Sequence, residues 1–239
     1  MTTLAPLPNP IWSALTSRHR RFAVGDERIK RYPADIGPFV AVPEGAGAVR
    51  VDAELHELIA PGESVDFVGV KPQLPAGWNV DGPAGVLQMY CQQRIPAAGA
   101  AGGDRAGRPL PEWTPLTQAD RPAMLELTAL VYPMYFRART QELGPYVGIK
   151  QEGMLAAMTG ERMAMDDRVE ISAVCTHPRF LGRGYAALLV GVVANNIFDR
   201  GLTPFLHVSD QNTRAIALYE RLGFVTRARL DLWLVTRPA

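Results

Sequence analysis

Residues 169–198 constrain this chain more than any other stretch. Val169 to Val174 is a mostly apolar run of strand character. It leads into Val-Cys-Thr-His-Pro-Arg-Phe-Leu-Gly-Arg-Gly-Tyr-Ala-Ala (174–187), and from Ala186 to Phe198 apolar residues recur at helical period. A strand, a glycine-bearing turn and a helix start in that order gather unpaired backbone N–H groups at the positive end of a helix dipole. Such a point binds phosphate oxygens. Gly182 and Gly184 let the main chain approach a ligand without a Cβ in the way. Alone, a glycine pair before a helix also fits an ordinary tight turn. A P-loop is excluded because no Gly-Lys-Ser/Thr follows, and a dinucleotide fold is disfavoured because the segment lies too late for a series of βαβ units.

A second segment lies at the right distance. Phe205-Leu206-His207-Val208 reads as a short buried strand, and Ser209-Asp210-Gln211-Asn212 is turn and N-cap chemistry. Ala215, Leu218, Tyr219 and Leu222 then mark one helical face that Gly223 ends. Asn212 and Tyr219 stand two helical turns apart and can address one side of the same groove.

With both segments in view, the chain resembles the GNAT superfamily of N-acyltransferases. The matching residues are Val174, Thr176, Pro178, Gly184 and Ala186, then Asn212, Ala215, Tyr219 and Leu222-Gly223-Phe224. Val-Cys-Thr-His-Pro followed by Gly-Arg-Gly-Tyr-Ala is most similar to the FR47-like branch. The resemblance covers roughly residues 113 to 239. One position departs from it: the family turn usually opens on Gln or Arg three residues after the proline, and here that slot holds Leu181.

The resemblance implies an α+β fold, a mixed and mainly antiparallel sheet flanked by helices. It implies acetyl-CoA as co-substrate, a primary amine on a small molecule or peptide as acceptor, and direct transfer between the two. The diphosphate grip would rest on backbone amides of Gly182, Arg183, Gly184, Tyr185, Ala186 and Ala187, with Arg183 or Arg179 adding charge. Val174, Cys175 and Thr176 would border the pantetheine, together with Asn212, Ala215 and Tyr219. The N–H of Val174 or Cys175 would polarise the thioester carbonyl. Tyr219 is the expected proton donor to the departing thiolate. Glu170, six residues before Thr176, is the expected general base, acting directly or through water. Even spacing on a regular strand puts Glu170, Ser172, Val174 and Thr176 on one face. Alternatives from other classes are an acyl-CoA-binding module without turnover, and an acyltransferase using a larger acyl donor or a hydroxyl acceptor.

The rest of the sequence sets bounds. A chain of 239 residues has ample material for a core. Its net charge of +1 gives no nucleic-acid footprint. No apolar stretch approaches the roughly 18 residues of a membrane span. Cys91 and Cys175 fit a reducing cytoplasm better than a disulfide framework. His177 and His207 lack metal-ligand spacing, so no metal is expected.

Pro96 to Pro111, with Ala-Ala-Gly-Ala-Ala-Gly-Gly inside it, reads as a flexible connector. The expected organisation is therefore an N-terminal α/β region (1–96), a connector (97–112) and the acyltransferase region (113–239). Before the connector, Trp12, Leu15 and Phe22 hint at a helix, 53–59 reads as a helix, and 65–70 and 86–91 read as strands. Relatives often carry such a half as a degenerate partial copy of the fold, shaping the substrate cleft or a homodimer contact. After the connector, Thr117 or Asp120 could cap a helix through Val131. Tyr132, Tyr135 and Phe136 are candidates for an aromatic acceptor wall or for plain core. Residues 146–150, 154–161 and 169–176 read as a meander ending at the turn.

Overall fold

A computed structural model describes residues 5–45, 50–96 and 111–239. The chain enters through helix α1 (Pro10–Thr16), short strands β1 (Val24–Gly25), β2 (Lys30–Arg31) and β3 (Val40–Ala41), helix α2 (Asp52–Leu58), and strands β4 (Ser64–Val68) and β5 (Asn79–Cys91). The central part of the predicted connector, 97–110, lies outside the described residues. Beyond it come β6 (Thr114–Leu116), α3 (Arg121–Val131), β7 (Tyr146–Gln151), β8 (Met154–Ala164), β9 (Arg168–Thr176), α4 (Tyr185–Asp199), β10 (Thr203–Ser209), α5 (Thr213–Arg221) and β11 (Phe224–Thr236).

The strands form a small sheet, β1-β2-β3, and one large mixed sheet in the order β4-β11-β5-β10-β9-β8-β7-β6. Among the described residues, only β9 and β10 run parallel within the large sheet; its other strand pairs are antiparallel. This is the expected α+β class. The predicted meander is β7-β8-β9, and its first turn falls at Glu152-Gly153, both at positive φ.

The connector divides the sequence but not the sheet. β5, from before it, lies between β10 and β11, from after it, and hydrogen-bonds to both. β5 also begins seven residues earlier than its apolar run. Asn79–Ala84 pairs on the β11 side only, and a register shift there leaves room for Gly82 and Pro83. A proline is tolerated where its missing N–H faces an open edge or a bulge. The first helix is shorter than its apolar pattern and leaves Phe22 in a separate 3-10 turn, Arg20–Phe22. The Thr16 and Ser17 hydroxyls donate back to the carbonyls of Trp12 (2.8 Å) and Ser13 (2.6 Å), a local arrangement that competes with helix extension.

Packing explains why α4 is fixed in place. Leu189, Val190, Ala194 and Ile197 are fully buried, in one cluster with Ile171 of β9 and Leu206 of β10. Each aliphatic side chain of this size contributes about 1.5–3 kcal/mol when buried. The start of α4 is thereby held against the end of β9. A second cluster joins the two parts of the chain, placing Ile11, Leu15, Tyr32 and Phe39 against Leu143, Met163 and Phe205.

Candidate active site

β9 and β10 stay together only briefly. Their parallel pairing runs from Arg168–Glu170 to Thr203–Phe205 and then stops. β10 continues along β5, and β9 continues along β8 alone. A cleft of about 380 Å³ opens where they part. Ile171, Ser172, Ala173 and Val174 form one wall, and His207, Val208 and Ser209 another. Asn212, Ala215 and Tyr219 of α5 also line it.

The β9 wall carries a bulge. Ser172 opposes Gly160 and Cys175 opposes Met158, so Thr159 alone faces both Ala173 and Val174. Ala173 takes φ +52°, and the Thr159 hydroxyl donates to the Ser172 carbonyl at 2.8 Å. The extra residue reverses the alternation that the sequence predicts. Ser172 and Cys175 now share a face, so Glu170 and Ser172 no longer share one with Thr176. Cys175 is sealed among Met124, Leu127, Phe136, Tyr146 and Met158, and burial pushes its thiol up to about 12. Its side chain therefore does not border the cleft, contrary to the expectation. Phe136 packs in that same cluster, whereas Tyr132 and Tyr135 line the cleft.

The glycine turn follows after a single 3-10 turn, Pro178–Phe180. Gly182 and Gly184 both adopt φ +79°, a conformation that side chains with a Cβ resist. Gly184 is the N-cap of the 15-residue α4, with no side chain capping it. The amides of Tyr185, Ala186 and Ala187 thus open the helix without an intrahelical acceptor. A Cβ on Gly182 would meet nothing within 4 Å. This open cradle of N–H groups fits a diphosphate. The Arg183 guanidinium lies over the Phe180 ring at 4.9 Å, and Arg179 pairs with Glu152 at 2.5 Å. The Tyr185 ring is buried and stacked on Phe180, so only its backbone can serve the turn. Gly182 to Ala187 and Thr176 are not among the residues that line the cleft.

Tyr219 is 7 % exposed, and burial raises the pKa of its hydroxyl, so it is a protonated donor at neutral pH. Asn212 caps α5, its side-chain oxygen accepting from the Ala215 N–H at 3.1 Å.

Glu170 is fully buried. Burial alone would raise its pKa, but the Arg162 guanidinium and the hydrogen bonds it receives outweigh this and hold it below the ordinary carboxylate range. Arg162 donates twice (2.8 and 2.6 Å), the Met163 N–H once (3.3 Å) and His207 Nδ1 once (2.8 Å). Four donors fill the lone pairs of both oxygens. The chain of bonds fixes the histidine tautomer. Gln88 Oε1 accepts from the Leu7 N–H, which turns the Gln88 amide nitrogen toward His207 Nε2 and leaves Nδ1–H to face Glu170. Glu170, expected as the general base acting directly or through water, has both oxygens occupied in this arrangement. It anchors Arg162 and His207, and both of those side chains line the cleft.

Sequence reasoning gave the N-terminal half a part in shaping the cleft but named none of its residues. Pro10, Phe39, Val68, Ala84, Gly85, Val86 and Leu232 close the cleft, and only the last comes from after the connector. It also passed over Arg162 and His207. A basic residue eight positions before Glu170, across the short 165–167 turn, was a readable signal for the ion pair. Among the described residues, no group of three or more Cys, His, Asp or Glu is placed to hold a metal ion, and no helix is long and apolar enough to cross a membrane.

The FR47-like protein family model matches residues 146–234, from β7 almost to the end of β11. A GNAT-family protein from Novosphingobium aromaticivorans is 30% identical, with 98% of this chain and 100% of that one covered at a TM-score of 0.84. The chain belongs to the GNAT superfamily, in its FR47-like branch. A GCN5-related N-acetyltransferase from Kribbella flavida shares the fold, at 15% identity and a TM-score of 0.58 over 99% of this chain and 97% of that one. No curated protein matches the chain. GNAT membership supports acyl transfer as the chemistry of the cleft.

Proposed function

We propose that this GNAT protein transfers acetyl from acetyl-CoA to a primary amine, directly between two bound substrates in the cleft. The observation that carries the reading is the parting of β9 from β10 beside Tyr219. Main-chain groups of Ile171–Val174 on the β10 side have no ladder partner, and a buried, protonated phenol lines the same space. Pantetheine amides can pair with that free strand edge as an added strand would.

Each residue then has a task. The amides of Tyr185, Ala186 and Ala187 hold the diphosphate, with Arg183 or Arg179 supplying charge. The N–H of Val174 or Cys175 polarises the carbonyl. Tyr219 gives its proton to the departing sulfur. Acetyl-CoA supplies the activated thioester. Glu170 is saturated by its four donors, so the amine's proton leaves to water in the open cleft. Glu170 acts indirectly, fixing Arg162 and His207.

The test is thiol release from acetyl-CoA across a panel of amines, with Tyr219→Phe beside the wild type. Amine-dependent release that falls about 10²-fold in the variant, with acetyl-CoA binding retained, supports the reading. Binding without release for every amine would leave an acyl-CoA-binding module instead. Release with hydroxyl acceptors alone, or only from longer acyl-CoAs, would change the substrate class.

A further inference from the structure

Asp66 stands on β4 beside Phe39 and Val68, which line the cleft, and the fold does not account for it. The residue is 3 % exposed, and its carboxylate accepts no hydrogen bond from any described residue. Its own N–H donates to the Pro38 carbonyl at 2.8 Å. Asp66 bridges Phe39 in parallel, and on β4 it alternates with Val65 and Phe67, which pack into a separate core on the opposite face. Phe39, Asp66 and Val68 therefore share one face, and both Phe39 and Val68 line the cleft. Tyr135 stacks on Phe39 at 5.7 Å, and Tyr132 lies 4.9 Å from Tyr135.

A buried carboxyl without a partner is costly and calls for a ligand or another explanation. Arg162, over the Phe39 ring at 4.7 Å, is already committed to Glu170 by two hydrogen bonds. Arg162 and Arg137 bring positive charge near Asp66 but neither donates to it, so what the place lacks is a donor. With Phe39 covered by Arg162 and Tyr135, the exposed Tyr132 ring is the aromatic surface left to favour a cation. The group received there is not the one acylated. β11, β5 and β10 stand between β4 and β9, which makes four strand spacings of about 4.8 Å each along a curved sheet.

We propose that Asp66 is the recognition residue of a subsite for a cationic group on the acceptor, flanked by Phe39, Tyr132 and Tyr135. The acceptors are then amines carrying a second cationic group beyond an apolar spacer, which runs past Val68, Met163 and Leu232. The inference rests on the reading of the cleft as amine-acylating, and its test separates the two.

Diaminooctane, octylamine and aminooctanoate are compared as acceptors for the wild type and Asp66→Asn, and diaminooctane binding is measured by calorimetry. The substitution is nearly isosteric and relieves a buried charge, so the variant folds. Wild type should prefer the diamine, and the variant should lower the diamine-to-monoamine ratio of kcat/KM about tenfold, chiefly through KM, with diamine affinity falling in parallel. An unchanged ratio, equal or undetectable diamine binding in both proteins, or a preference for aminooctanoate overturns the subsite even where octylamine is acetylated. Asp66-dependent diamine binding without acetylation of any amine would uphold the subsite and remove the N-acetyltransferase reading.

Discussion

At the residue scale, Glu170 and Asp66 are two buried carboxyls in opposite surroundings. Glu170 sits in the recognised segment yet is saturated with donors, whereas Asp66 sits in unremarkable sequence and has none among the described residues. Removing one partner of a buried, hydrogen-bonded ion pair typically costs about 3–5 kcal/mol. Glu170→Gln should therefore show a large drop in Tm, and any loss of turnover should track misplaced Arg162 and His207. A catalytic base would behave differently, shifting the acidic limb of the pH–rate profile while Tm stayed near that of the wild type. Because Glu170's folded pKa is depressed, its contribution is present above the unfolded carboxylate pKa and is lost as pH falls below it. Asp66 has the opposite sign. Burial pushes it up to about 7, with Arg162 and Arg137 pulling it back, so ionisation in the folded state costs stability progressively between about pH 4 and pH 7. In thermal melts the advantage of Asp66→Asn over wild type should be small at pH 4, grow through that window and level off above it. A constant difference across pH would mean that Asp66 is not held as the structure has it.

At the element scale, the recognised motifs are legible because each rests on local rules. Apolar period gives α4 and the meander, the Asn212 side chain starts α5, and glycines at positive φ shape the turn. The bulge at Ala173 is not legible, since alanine carries no preference for φ +52° and the insertion shows only in the register against β8. That single residue undoes the face assignment of Glu170 and places Cys175 in the core. The turn offers the direct check on the motif that can be read. Gly184→Ala forces a Cβ onto a left-handed residue, at about 1–2 kcal/mol, and distorts the amides that open α4. Acetyl-CoA affinity should fall by more than the modest loss in Tm suggests. Arg179→Ala, at an exposed pair with Glu152, should have the smaller effect on affinity. Unchanged acetyl-CoA binding in Gly184→Ala would place the diphosphate elsewhere.

At the scale of the whole molecule, the segment after the connector looks self-sufficient in sequence and is not so in structure. Both family motifs fall there, and no chemistry-bearing motif falls before it. Long-range pairing leaves no local mark, so β5 reads as an ordinary strand even though it is bonded on both sides by β10 and β11. Taking it away would leave two facing edges open in the middle of the large sheet, an arrangement prone to wrong pairing. Loss of the whole stretch before the connector would also strip Met89, Cys91 and Ile95 from the cluster under α4, and Ile11, Leu15, Tyr32 and Phe39 from the cluster around Phe205. A fragment of residues 113–239 should therefore aggregate or melt without cooperativity, and co-expression with residues 1–96 should restore a folded protein. Because Pro10, Phe39 and Val68 line the same cleft as Tyr219, restored turnover should appear together with the restored fold. A monomeric 113–239 fragment with a cooperative melt close to that of the full chain would show that β10 and β11 can do without the strand between them.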